Sequence, residues 1–226
     1  DYLLARRLTG QTPRQRHYVE RLFVLVSDSG RNRVAAGRLD SALRTAPDSL
    51  KVQLLRIGSA LGDSAFLPAA RRYLRADSAE VRRMALRGLG AYPARADLPF
   101  LLEHAVATSG PERQMTLWAL AQHPPLREWK TVLPLLRDPR QYNRQLARRI
   151  LAKAWGGDFA KGLAFAPSLD DATADTLPRL EWALLAAEMP GPTAQAWLRR
   201  ALPVLDPAGR VFFRGSRPRP SARPAP

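Results

Sequence analysis

The sequence repeats itself about every 31 residues, and that period limits the folds open to it. Leu54, Ala85, Thr116 and Ala147 fall in one row, and Ile57, Gly88, Ala119 and Ile150 fall in another one turn later. Within one unit, Val81, Ala85, Gly88, Leu89 and Tyr92 recur at helical spacing. Asp77 and Ser78 suit an N-cap, and Glu80 falls in the first turn, where the positive helix end favours it. A second helix repeats too, through the rows Leu67, Leu98, Trp129, then Ala70, Leu101, Val132, then Leu74, Ala105, Leu136. Pro68 and Pro99 share a first-turn position, where a missing N–H is harmless. Each unit therefore reads helix, turn, helix. One such pair cannot bury its apolar stripe alone, so the units must stack.

These residues resemble the HEAT-like repeats, in particular the short variety first noted in phycobilisome lyases. Asp77, Val81, Arg82, Ala85, Leu89 and Gly90 match that pattern, whereas Glu112 and Asn143 replace its Val and Thr116 replaces one Ala. The resemblance covers residues 48–165. It implies an all-α fold, a right-handed α-α superhelix of about five to six helix pairs. It says nothing about activity, because such repeats serve unrelated functions. On this reading the solenoid spans 1–206, with divergent caps at 1–47 and 166–206. Helices are expected within 12–46, at 177–188 and at 193–205. The Pro- and Arg-rich tail at 207–226 has no apolar period and is expected to be extended or disordered, or to dock Phe212 and Phe213 on the last helices.

The net charge is +16, with 36 basic and 20 acidic residues, and nearly all the basic residues are Arg. Such a balance attracts nucleic acid, acidic protein or anionic lipid, although an Arg- and Ala-rich codon bias produces the same excess. The excess stops near Lys161, since 167–206 holds three basic and six acidic residues, and it returns in the tail. With no Cys, disulfides, thiolate metal sites and Cys nucleophiles are excluded. No apolar run approaches the roughly 18 residues of a membrane span. The chain begins at Asp1 and not Met, so a removed signal or a longer precursor is one expectation, with a cytoplasmic or an exported location both open. An accessory region of a larger enzyme fits the same start.

Chemistry-bearing motifs are scarce. His17, His104 and His123 have no partner at metal-ligand spacing, and structural roles are expected for all three. Asp170 and Asp171 precede a helix and read as an N-cap. No catalytic residue, metal site or cofactor is expected.

Two basic rows follow the repeat. Lys51, Arg82, Arg113 and Arg144 form the first. The HEAT-like resemblance implies a structural ladder here, in which each cation bonds an Asp near the preceding turn, with Asp48, Asp77 and Asp138 suitably placed. Arg56, Arg87, Trp118 and Arg149 form the second row five residues on, about 140° round the helix. Arg83, Gln114 and Gln145 lie one turn earlier, and Arg148 flanks them. The resemblance implies that this face lines a concave groove. Arg and Trp are favoured at binding hot spots, and Arg forks suit carboxylate or phosphate. The expected role is a non-enzymatic scaffold holding an acidic protein partner, with nucleic acid as the alternative. Some DNA-repair glycosylases are similar solenoids, but they need a groove Asp that these rows do not supply.

Overall fold

The computed structural model describes residues 39–60, 64–170, 176–189 and 191–205. The fold is all-α, with no strand among the described residues. The chain divides into two compact units, Asp1–Pro124 and Pro125–Pro226. His17, the first helix expected within 12–46 and the tail from 206 lie outside the described residues, although 39–45 is helical.

In the first unit, α1 (Asp48–Ala60), α2 (Leu67–Arg72), α3 (Ala79–Ala91), α4 (Leu98–Ala107) and α5 (Gly110–Gln122) alternate between two layers. Helices α1, α3 and α5 pack side by side, while α2 packs on α3 and α4 on α5. The sequence period is realised in the backbone: α1, α3 and α5 start at 48, 79 and 110. Ser78 is the N-cap of α3 and accepts from the Val81 N–H, and α2, α4 and α5 carry Pro in the first turn. The rows of small and apolar residues form the core. Leu54, Ala85 and Thr116 are buried, as are Ile57, Gly88 and Ala119 on the same helices and Ala70 and Leu101 in the other layer.

In the second unit a 3-10 helix, Trp129–Arg137, precedes α6 (Gln141–Trp155), and short 3-10 turns at Phe159–Lys161 and Leu163–Phe165 lead to α7 (Thr176–Glu188) and α8 (Pro192–Val204). The period persists, since Trp129 follows Leu98 and Gln141 follows Gly110 by the same interval. The second helix expected through Trp129, Val132 and Leu136 is wound tighter than an α-helix. Pro134 lies inside it, and proline cannot supply the N–H that an α-helical ladder needs. Ala147, Ile150, Val132 and Leu136 occupy the core positions that the rows assign them. The unit's core is aromatic: Trp155 contacts the rings of Trp129, Phe159 and Trp182, and Trp182 contacts Trp197.

Candidate partner-binding face

The two basic rows have different fates, decided by what each guanidinium meets. In the first row, Arg82 donates to the main-chain carbonyls of Ala76 and Asp77, both at 2.8 Å. Its other edge donates to both Glu112 carboxylate oxygens at 3.0 Å. Arg144 repeats the arrangement, donating to the carbonyls of Asp138 at 2.9 Å and Pro139 at 3.2 Å and to Glu181 at 2.7 Å. Arg113 donates to the Val106 carbonyl, and Lys51 to the Asp48 carboxylate. Arg82 and Arg144 therefore clamp the turn before their own helices.

The expected acids need correction. Only Asp48 meets its cation through a carboxylate. Asp77 and Asp138 present main-chain oxygens, and the Asp138 side chain accepts instead from the Arg140 N–H and from Asn143. The physical reason is reach: an Arg in the first turn folds back over the carbonyls of the preceding turn, and its far edge then faces the next helix. The acid comes from there. Glu112 sits in the first turn of α5, where the helix dipole also favours it.

Glu112 meets a second side chain besides Arg82. His104 Nε2 lies 3.0 Å from Glu112 Oε1, with its ring stacked on Phe100. The hydrogen bonds from Arg82 hold the Glu112 carboxyl below its ordinary range against the opposing cost of burial, and the charges of Arg82 and His104 add to the lowering. A lowered folded-state pKa contributes stability that is complete above the ordinary carboxylate value and fades as pH falls through the lowered one. Acid titration of the urea midpoint is therefore expected to fall less steeply in Glu112→Gln than in the parent chain. Parallel acid limbs would show that this carboxylate is not a source of the acid sensitivity.

The second row is different. Arg87 and Arg149 are exposed and Arg83 is half-buried, and none of the three has an acidic partner among the described residues. Gln114 is half-buried and Gln145 is exposed. Arg56 is half-buried and does make an interaction of its own. Trp118 is half-buried because its indole lies across Gly90: a Cβ on Gly90 would stand 2.4 Å from Trp118 Cζ3. Only glycine allows that approach. Arg87 and Gly90 are three residues apart on α3, so Arg87 rises from the side of the helix that the indole covers.

Arg148 departs from the expectation. It is buried, donating to the buried Glu181 and, at 3.3 Å, to the more exposed Glu188. Arg148 lies four residues after Arg144, so both share the stripe of α6 that meets α7. Sequence reasoning also missed the Asp97 carboxylate, which stands at the N-cap position of α4 without bonding the helix end. It instead accepts two hydrogen bonds from Arg71, at 2.8 and 3.1 Å. His123 is fully buried, in keeping with a packing role.

No protein-family profile matches this sequence, and no curated protein shows significant similarity to it. Among the described residues, no helix is long and apolar enough to cross a membrane.

Proposed function

We propose that this chain is a HEAT-like α-solenoid that acts as a non-enzymatic scaffold and holds an acidic protein segment on the Arg83, Arg87 and Trp118 face. The carrying observation is the division of labour between the basic rows. Arg82 and Arg144 spend their hydrogen bonds on carbonyls and on Glu112 and Glu181, whereas Arg83, Arg87 and Arg149 have no acidic partner among the described residues. Guanidinium forks beside a half-covered indole offer carboxylates two parallel hydrogen bonds and an adjacent apolar surface. Gln145 and Arg149 hold the same row positions in the second unit.

The same forks fit phosphate, and a net charge of +16 favours nucleic acid as the second reading. One titration separates them. Fluorescence anisotropy with a labelled poly-glutamate peptide and with labelled double-stranded DNA, at physiological salt, compares the parent chain with Arg83→Glu/Arg87→Glu. Both residues project from α3 away from its buried stripe, so the variant is expected to fold, with circular dichroism as the check. A loss of at least roughly tenfold in peptide affinity is expected. Tighter DNA binding with a steep salt dependence, lost in the same variant, would replace the protein partner by nucleic acid. Affinities unchanged by the reversal would reject this face.

A further inference from the structure

The turn that follows α6 carries apolar surface where the repeat calls for core. Leu163 falls in the row of Ala70, Leu101 and Val132, each buried in its own repeat, yet Leu163 is 40% exposed. Ala164 is exposed beside it, and Phe165 is 44% exposed. The turn is not loose. Gly162 is pressed against the buried Trp155 indole, and the Phe165 ring meets Trp129 edge-on at 5.4 Å. Its apolar edge is therefore held outward by a rigid aromatic base.

Cations border this edge. Lys130 Nζ stands 5.1 Å from the Phe165 ring centre and 6.0 Å from that of Trp129. Lys161 and Arg127 are exposed, and Lys161 Nζ donates to the Trp155 carbonyl at 2.9 Å. The neighbouring acids are Glu128 and Asp158, and the Asp158 carboxylate already accepts from the Ala160 N–H. An occupant must take apolar side chains inward and meet ammonium groups at the rim.

We propose that the Leu163–Ala164–Phe165 edge docks on an anionic lipid surface, dipping into the headgroup boundary while Lys130 and Lys161 meet lipid phosphates and carboxylates. A bilayer interface supplies both required chemistries at one depth, and lysines beside an inserted aromatic extend to the headgroups. The charge argument disfavours two other occupants. The chain's own residues 207–226 carry five Arg and no acid, and a second copy would set the same lysines against each other.

The test is flotation with phosphatidylcholine vesicles and with vesicles that also contain phosphatidylserine. Expected is partition onto the anionic vesicles only, weakened at least roughly tenfold by Leu163→Ala/Phe165→Ala, with Lys130→Glu also weakening it. Arg83→Glu/Arg87→Glu should partition like the parent chain, which separates this edge from the face on α3. Because the sequence has no Cys, Ala164→Cys gives one labelling site. A polarity-sensitive dye there should shift to the blue on anionic vesicles. A dye that stays in water, flotation indifferent to the double alanine variant, or absence of flotation would each overturn the proposal. So would double-alanine loss of poly-glutamate binding with vesicle binding intact, which would make the edge a protein contact.

Discussion

Glu181→Gln lowers the stability of the second unit by roughly 3–5 kcal/mol in urea denaturation followed by tryptophan fluorescence. The Glu181 side chain is 2% exposed and accepts from both Arg144 and Arg148. Neutralising it keeps the shape and leaves two guanidiniums in a site that water barely reaches. Arg148 then has only Glu188, at 3.3 Å, whose side chain is 46% exposed. Removing one partner of a buried pair strands the other charge, and that cost exceeds what the intact pair contributes. Two comparisons sharpen the result. Glu188→Gln is expected to cost under about 1 kcal/mol, because a largely solvated carboxylate gains little from pairing. Arg148→Met in the Glu181→Gln background is expected to regain part of the loss, since it removes one stranded charge. A loss below about 1 kcal/mol in Glu181→Gln would mean that water reaches the pair on relaxation.

The sequence showed the apolar rows because small and apolar residues at 54, 85, 116 and 147 leave no other use for those positions, and all four are buried. It showed the clamping row too, but not its acids. Arg82 meets Glu112 at a separation of 30 residues, close to the period, whereas Arg144 meets Glu181 at 37. The register has lapsed by then, and row alignment cannot find a partner beyond the lapse. Arg148 was misplaced for a related reason. Its neighbour Arg149 belongs to the exposed row, but one residue is about 100° of turn, enough to carry Arg148 into the stripe that meets α7. Asp97 was hidden by its own sequence, since an acid two residues before a proline reads as a helix cap. The tight winding at 129–137 was not read from the sequence, because the effect of Pro134 on helix type depends on packing that a single sequence does not specify.

Trp155→Ala is expected to cost roughly 3–5 kcal/mol, and the way it fails should reveal how the second core is built. Trp155 is 0% exposed, with ring contacts to Trp129 at 5.3 Å, Trp182 at 5.7 Å and Phe159 at 6.2 Å. Its indole N–H is buried without a hydrogen-bond partner among the described residues, so truncation loses packing and no polar contact. Lys161 bonds the main-chain carbonyl, which any substitution keeps. Gly162 supplies a finer test. A Cβ there would lie 2.1 Å from Trp155 Cη2, 2.3 Å from Cζ2 and 2.6 Å from Cζ3. Those three atoms belong to the six-membered part of an indole gripped on several sides, so Gly162→Ala alone should cost about 1–3 kcal/mol by overpacking. Trp155→Phe alone should open a cavity at the same place. Phenylalanine's smaller ring reaches less far than the indole, and the added methyl can enter that space. The double variant should therefore be more stable than the sum of the two losses predicts, by at least about 1 kcal/mol in a double-mutant cycle. Additive losses would mean that the turn at Gly162 moves away from the indole instead of resting on it.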